Sequence, residues 1–583
     1  MKKNKNAYRA ENASVREYVE VHRGVEIPWV YLILVFVAAL GSTYASMHIA
    51  NFTGDMVDAG GNVPTNALLR FALSYLAIAV FGAMNFLFSG YASEKINLGI
   101  RTKLWRKIMF VRQSNYDVDG GQTLVSRVTM DCDFASKLLV SIVGMLGLAV
   151  SIGIYLVRMY RINATLSTAT LVLIPISVLV GWGYAKLRFL IAQKSQAMLS
   201  RTTTYLAERT KSLTLIKTAN AQQEEIENGR ACFEEQYKMQ LKTGFINLFY
   251  NCLQTAYRIL SLAIPFIVGG KLVAAGIIKV GMVVAFYQIT GSVATDATNV
   301  INSVGTIRQA NGALTRVIRT LKLSDEQVRE GKTMDEPDQD ITFLDVDFAY
   351  RERLVLEKIS CVIPKNKVTA VVGSNGSGKS TLFKLLDRLY DPKTGMIRFG
   401  NTDAKEYDLH AWRKAFCLVA QGSPLMEGTI RENICYGCER PISNDELIKV
   451  AKQARVYDFV SLLPDGFDTH VAPGGTNFSG GQRQLIAIAR AIMNNPDYLL
   501  LDEATSNLDA TSERIVLEAL GELMKGRTTV IIAHSLSAIR NADHVIVLRN
   551  GKIEGSGSPA EVLNATNNYL ATVMGRRTAK QEA

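Results

Sequence analysis

The amino-acid sequence predicts two unlike parts: an all-α transmembrane domain of six spans with long cytoplasmic extensions, then an α/β domain built on a phosphate-binding loop. Three observations carry that prediction. Apolar runs long enough to cross a bilayer are confined to residues 27–296 of the 583. A complete GxxxxGK[ST] pattern, Gly373-Ser374-Asn375-Gly376-Ser377-Gly378-Lys379-Ser380, lies between the apolar run Val368–Val372 and the helical pattern Thr381–Leu386. The strand-like run Asp497–Leu501 ends in two adjacent carboxylates, Asp502 and Glu503.

Each membrane element follows from length. Crossing the ~30 Å hydrocarbon layer takes about 20 apolar residues. Six stretches qualify: Ile27–Ala50, Leu68–Ala92, Leu138–Val157, Ala164–Ala185, Phe245–Gly269 and Ile278–Asp296, the last being the most polar. The spans and their extensions fill residues 27–320, behind a segment 1–26. In that segment Ser14-x-x-Glu17 has a capping-box pattern opening a short helix with Val15, Tyr18 and Val19 on one side. It reads either as an interfacial elbow or as a solvated helix. Lys2, Lys3 and Lys5 are followed by no apolar core before Ile27, which argues against a cleaved targeting segment.

Orientation follows from the basic residues. Asn51–Ala67 has no Lys or Arg and is expected outside. Lys95, Arg101, Lys103, Arg106, Lys107, Arg112 and Arg127 follow the second span, and Lys186, Arg188, Lys194, Arg201, Arg209, Lys211 and Lys217 follow the fourth. Both segments are expected in the cytoplasm, together with the N-terminus and the soluble half, which makes this a multi-pass protein of the cell membrane. Arg158 and Arg161, in the turn between spans three and four, run mildly against the rule. The net charge of +12 is then read as cytoplasmic anchoring beside lipid, not as a nucleic-acid surface.

Polar residues inside the spans form stripes. Asn247, Asn251, Gln254 and Arg258 follow a 4-3-4 spacing, as do Gln288, Ser292, Thr295 and Asn299, with Asp296 alongside. A buried Arg costs ~2.5–3.5 kcal/mol on insertion scales, so Arg258 must meet water, a partner or a ligand. Two readings stand: a hydrated substrate cavity lined by spans five and six, or an Arg258–Asp296 pair with interhelical hydrogen bonds. Cys435 and Cys438 have C-x-x-C spacing, but no second pair or nearby His completes a zinc site, and the seven cysteines read as structural free thiols.

The soluble half begins after a charged, proline-containing linker, residues 321–340. Residues 341–575 alternate β-rich runs with helical patterns, as an α/β layered domain does, and 576–583 form a tail. In the phosphate loop, glycines let backbone N–H groups close on phosphate oxygens at a helix N-terminus. Lys379 is expected to reach the β/γ-phosphates, and Ser380 and Asp502 to hold Mg²⁺. Glu503 is the expected base, or water-orienting group, for attack on the γ-phosphate.

Asn477-Phe478-Ser479-Gly480-Gly481-Gln482-Arg483-Gln484 resembles the signature motif of ATP-binding cassette (ABC) proteins. Gln421 resembles that family's Q-loop glutamine, Ser506-Asn507-Leu508-Asp509 its D-loop, His534 its switch histidine, and Tyr350 the aromatic that stacks on adenine. Tyr116–Asp133 and Glu208–Glu225 look like the two coupling-helix regions of its exporters. The resemblance covers nearly the whole chain and identifies it as an ABC exporter half-transporter of the ABC-B-like, type IV kind, in the bacterial multidrug, peptide and lipid exporter group.

It implies ATP and Mg²⁺ as cofactors. Nucleotide contacts would come from Tyr350, Gly373 through Thr381, and Ser479, Gly480, Gly481, Gln482 and Asp509. Mg²⁺ contacts would come from Ser380, Gln421 and Asp502, and catalysis from Lys379, Gln421, Glu503 and His534. It also implies a second copy of the chain as partner, since the signature loop of one cassette contacts the γ-phosphate held by another. The expected substrate is a peptide or an amphiphile with an anionic group; a lipid or drug is the alternative, and a regulatory or channel-forming role a further one. No peptidase domain is expected ahead of the spans. The chain departs from the pattern at three places: Ala472-Pro473 where exporters carry Gly-Glu, Ser535 for an Arg, and Asn507 for an Ala.

Overall fold

The computed structural model of the chain describes residues 15–60, 65–171, 173–326, 331–334, 339–502, 509–533 and 536–565. They form two compact units, one holding residues up to Phe110 and Asp119–Leu323, the other holding Val111–Val118 and the chain from Ser324 onward.

The helices up to the linker are α1 (Val15–His22), α2 (Trp29–Asp58), α3 (Thr65–Phe110), α4 (Gln113–Asp119), α5 (Gly121–Ser126), α6 (Cys132–Ile162), α7 (Ala164–Leu171), α8 (Leu173–Lys211), α9 (Leu213–Thr218), α10 (Gln222–Ala274) and α11 (Val280–Leu321). At 46 and 53 residues, α3 and α10 are roughly 70 and 80 Å long. That is more than twice the hydrocarbon thickness; the surplus of α3 carries the basic residues Lys95 to Lys107 read from the sequence, while those read after the fourth span fall on α8 and α9. Among the described residues four helical stretches are long and apolar enough to cross a membrane: Trp29–Asp58, Thr65–Phe110, Thr123–Ile162 and Gln222–Ala274. The expected span at 164–185 falls on α7 and α8, either side of residue 172, which is outside the described residues. The expected span at 278–296 lies in α11, an unbroken helix of 42 residues whose Gln288, Asp296 and hydroxyl side chains dilute its apolar character.

Within this unit α2 packs on α3, α6 and α11, and α10 on α8 and α11. A Cβ on Gly281 would stand 1.9 Å from the Gly54 carbonyl oxygen, so α2 and α11 meet backbone to backbone. Asp58 Oδ1 accepts from the Gly281 N–H at 2.7 Å, capping α11, whose N-cap residue Lys279 makes no side-chain cap. α1 is packed together with the turn after it, Val21 and Val25 being buried beside Ile96, Ile100 and Leu314. Lys103 Nζ holds its C-terminal end, donating to the carbonyls of Glu20 (2.9 Å), Val21 (3.0 Å) and Arg23 (2.9 Å). Before α6 the chain makes a π turn, Arg127–Asp131. Its Asp131 is gripped by Arg316 through two bonds of 2.9 and 2.6 Å, and its Arg127 donates to Thr320 Oγ1 at 2.8 Å.

The second unit carries two main sheets. Strands β1 (Ile341–Tyr350), β2 (Arg353–Ile363), β4 (Thr394–Phe399) and β5 (Thr402–Asp403) form an antiparallel sheet in the order β2-β1-β4-β5. Strands β3 (Val368–Gly373), β6 (Phe416–Val419), β9 (Tyr498–Asp502), β10 (Thr528–Ile532), β11 (His544–Arg549) and β12 (Lys552–Gly557) form the other, in the order β12-β11-β3-β10-β9-β6. A short pair, β7 (Gly428–Thr429) and β8 (His470–Val471), stands apart. In the six-stranded sheet only β12 is antiparallel. β3 is buried over five of its six residues, as a central parallel strand requires.

The helices of this unit are α12 (Lys379–Leu386), α13 (Leu409–Ala415), α14 (Ile430–Ile434), α15 (Asn444–Gln453), α16 (Tyr457–Val460), α17 (Gly480–Asn494), α18 (Ala510–Met524), α19 (Leu536–Arg540) and α20 (Pro559–Ala565). One core, with Phe343, Leu356, Leu382, Trp412 and Tyr498, joins the two sheets around α12. A second, with Ile430, Leu447, Leu485, Ile486 and Val516, joins α14, α15, α17 and α18.

Candidate functional site

Register brings the site together. In the parallel sheet Asp502 pairs with Ile532 and Ile532 with Val371, while Val419 pairs with Leu501. The chain just beyond β3, β6 and β9 therefore emerges at one edge. The phosphate loop follows β3 there, Gln421 stands two residues past β6, and Asp502 ends β9. Ligand sites of open α/β sheets lie outside the carboxyl ends of the strands.

The loop itself is built by close approach. Gly373 faces the Leu548 carbonyl oxygen of β11, which a Cβ would meet at 2.2 Å. Gly376 (φ +80°) and Gly378 (φ +109°) hold the left-handed backbone that turns the chain into α12. Lys379 Nζ donates to the carbonyls of Gly373 (2.9 Å) and Ser374 (3.0 Å), so its ammonium lies across the loop. The Ser377 hydroxyl is buried inside the loop and makes no hydrogen bond, and Ser374, Asn375, Gly376 and Ser380 face outward. Thr381 is buried at the start of α12. A triphosphate fits this cradle of N–H groups and one ammonium. The oxygens of Ser380, Gln421 and Asp502 are the hard donors Mg²⁺ prefers.

At the far end of β1, Tyr350 meets Phe348 (4.9 Å, 89°) and Tyr390 (5.3 Å, 87°) edge-on. Lys384 of α12 stands over both tyrosine rings, 5.3 Å from Tyr350 and 5.8 Å from Tyr390. Neither Tyr390 nor Lys384 was singled out by sequence reasoning. No periodicity marks them, and only the packing of α12 under β1 brings them together.

The signature segment forms the N-terminus of α17. Ser479 is its N-cap: its hydroxyl accepts from Gln482 N–H at 3.2 Å, and Gln482 Oε1 accepts from Ser479 N–H at 2.9 Å. Ser479 and Gly480 are exposed and Gly481 is buried against the helical core. Asp509 caps α18 in the same way, accepting from Ser512 N–H at 3.1 Å. At the departure Ala472-Pro473, Asn477 spans the turn, accepting from Ala472 N–H at 3.0 Å and donating to the His470 carbonyl at 2.9 Å. Glu503, Ser506, Asn507, Leu508, His534 and Ser535 lie outside the described residues.

The polar faces of the spans turn to different neighbours. Asn247 Oδ1 accepts from the Tyr184 hydroxyl at 2.9 Å, Tyr184 stacks on Tyr250 at 3.6 Å, and Gln254 donates to the Tyr250 hydroxyl at 2.6 Å. Ser292 bonds the Gln288 carbonyl at 3.2 Å and approaches Ser46 of α2 at 3.5 Å. Asn251, Thr295 and Asn299 are exposed and Asp296 is half-buried, while the Arg258 side chain lies outside what the structure describes.

Residues 29–295 match the family model of the ABC transporter transmembrane region, and residues 356–506 match that of the ABC transporter. The chain is 31% identical, over 86% of its length and 85% of the relative's, to YfiC of Bacillus subtilis, an uncharacterized ABC transporter ATP-binding protein. The chain belongs to the ABC transporter family. A multidrug resistance ABC transporter ATP-binding and permease protein of Lactococcus lactis subsp. lactis is similar at 27% identity across 98% of this chain and 97% of the relative. The transporter thus fuses a helical membrane domain to a nucleotide-binding domain of P-loop NTPase type, and is an ATPase-coupled transporter of the exporter kind.

Proposed function

We propose that two copies of this chain form an ATP-driven exporter of the cell membrane, with both nucleotide-binding domains in the cytoplasm. ATP, with Mg²⁺ held by Ser380, Gln421 and Asp502, is bound on the phosphate loop of one copy. Ser479, Gly480, Gly481 and Gln482 of the other copy close over its γ-phosphate. The observation that carries this reading is the exposed, capped N-terminus of α17. Its helix dipole favours a phosphate oxygen, and it belongs to the helical core rather than to the core around the phosphate loop. Lys379 stabilises charge on the transferred phosphoryl group, Glu503 orients or deprotonates the attacking water, and Gln421 and His534 complete the shell. Closure is passed to the spans through the segments around α4 and α9, which turn the cavity outward by alternating access.

The substrate is a peptide or another amphiphile with an anionic group, met by Arg258 and the amides of Asn247, Asn251 and Gln254, with Gln288, Ser292, Asp296 and Asn299 opposite. The name of the Lactococcus relatives, multidrug resistance ABC transporters, favours the second reading, a drug or lipid amphiphile. Purified chain in liposomes, tested for ATPase stimulation and ATP-dependent flux with a panel of peptides, lipids and drugs, decides between them. Arg258→Met should change transport of the true substrate and leave basal hydrolysis largely intact. Hydrolysis with no flux of any panel member would sink the exporter reading.

A further inference from the structure

Tyr390 stands where two parts of the second unit meet. Its ring packs edge-on against Tyr350 at 5.3 Å and Phe348 at 5.4 Å, with Lys384 of the phosphate-loop helix above it. Its hydroxyl donates to Asp117 Oδ2. Burial and the Asp117 carboxylate both push the Tyr390 hydroxyl up from its ordinary value, so it remains a donor at any working pH. Asp117 lies in Val111–Val118, the short segment that follows α3 and is part of this unit. The segment is fastened at its start by bonds from Arg112 and Asn115 to Ser324 and Asp325. Arg112 N–H donates to the Ser324 carbonyl at 3.2 Å and Arg112 Nε to the Asp325 carbonyl at 3.0 Å. Asn115 donates to Ser324 Oγ at 3.0 Å, and Arg112 pairs loosely with Asp391 at 3.7 Å. Beyond that anchor, Asp117 reaches Tyr390 directly.

The geometry points to Tyr390 as a positioning residue that reads nucleotide occupancy at Tyr350 and passes it to the Val111–Val118 segment through the hydrogen bond to Asp117. This rests on the proposal that Tyr350 stacks on adenine. A base laid on the Tyr350 face must settle beside the same Tyr390 edge and Lys384 ammonium. A shift of that ring changes the length of one charge-assisted bond, and such bonds are the stronger and more directional kind. Coupling of this form is reciprocal: what nucleotide does to the segment, the segment does to nucleotide affinity. Tyr390 lies outside the phosphate loop and meets Tyr350, Phe348, Lys384 and Asp117, so its role is positioning and not catalytic.

Hydrogen exchange of the full-length protein in nanodiscs tests this, with Mg²⁺ and the non-hydrolysable analogue AMP-PNP as the probe. Two peptides are read: residues 111–118 and residues 373–381. In the wild type, nucleotide should slow exchange at both, by about tenfold at 111–118, the scale of one hydrogen bond to a charged group. Tyr390→Phe keeps the ring and removes only the hydroxyl. It should keep the slowing at 373–381 and lose most of that at 111–118. Asp117→Ala should do the same, the double variant should lose no more than either single one, and Asp117→Glu should restore part of the effect. Unchanged slowing at 111–118 in Tyr390→Phe, losses that multiply in the double variant, or loss at 373–381 as well would overturn the assignment. Absence of slowing at 373–381 in the wild type would instead overturn the nucleotide-site reading itself.

Discussion

Replacing Gly373 by Ala isolates why the phosphate loop can start where it does. Gly373 pairs with Leu548 across β3 and β11. An added Cβ would lie 2.2 Å from the Leu548 carbonyl oxygen and 2.6 Å from Ser377 Oγ. The first contact is to backbone of a neighbouring strand, which cannot rotate away, so β3 and β11 must part. Overpacking of this kind costs about 1–3 kcal/mol. For a domain of this size each kcal/mol lowers the unfolding temperature by about 2–4 °C, which gives a fall of about 2–12 °C. Gly376→Ala is the control: its φ of +80° makes Ala strained, but nothing lies within 4 Å of the new methyl. It should cost about 1 kcal/mol, through backbone conformation alone. Scanning calorimetry of both variants, nucleotide-free in detergent, reads the difference at the transition of the nucleotide-binding domain. Gly373→Ala should also lose ATP binding, because the cradle opens. A Gly373→Ala protein that melts with the wild type, or above Gly376→Ala, would refute the packing argument.

Three further outcomes are expected. Ser479→Ala should cost about 1 kcal/mol through the lost cap but far more in ATPase rate. Ser479→Asp, which can still cap α17, should recover the stability and not the rate; recovery of both would reduce Ser479 to a structural residue. Glu503→Gln should keep ATP binding and lose turnover by ~10²–10⁴, the scale of a general base, so near wild-type phosphate release in that variant contradicts its role. Burial raises the Asp387 carboxyl to about 6, against the pull of Arg413. It binds its proton more tightly folded than unfolded, so wild-type stability grows as pH falls through that value. Asp387→Asn should therefore stabilise the folded state at pH 7.5 by about 1–2 kcal/mol, allowing for partial exposure, which is read as a higher unfolding temperature. The advantage should shrink between pH 6 and 4, and a gain that ignores pH would refute the linkage.

The elements legible in the sequence are those whose cause is local. A five-residue run with four apolar side chains before a glycine turn made β3 a buried strand, and Ser479 with Gln482 three residues on announced the cap of α17. Long apolar runs with basic continuations foretold α3 and α8. What escaped depends on meetings between distant segments. In the antiparallel sheet β2-β1-β4-β5, β1 pairs with β4 across a long stretch of chain, from Ile341 to Phe399, with no alternation strong enough to fix the order. Gly54 and Gly281 are ordinary glycines until α2 and α11 touch, and Asp58 is one acid among many until it caps α11. Tyr390 is the functional case: its sequence neighbours Asp391 and Pro392 suggest a turn, and nothing local ties it to Tyr350 or to Asp117. The polar stripes of α10 and α11 were readable as stripes, but not their partners: Asn247 and Gln254 join a tyrosine stack, and Ser292 approaches α2.

The central claim is that one chain holds two halves of two different ATP sites, Lys379 on one and Ser479 for its mate. Nanodiscs sorted to contain one copy or two copies of the chain, assayed for phosphate release per chain at saturating Mg²⁺ and ATP, address it directly. The account predicts turnover in the two-copy discs and essentially none in the one-copy discs. Equal turnover per chain in both would contradict it.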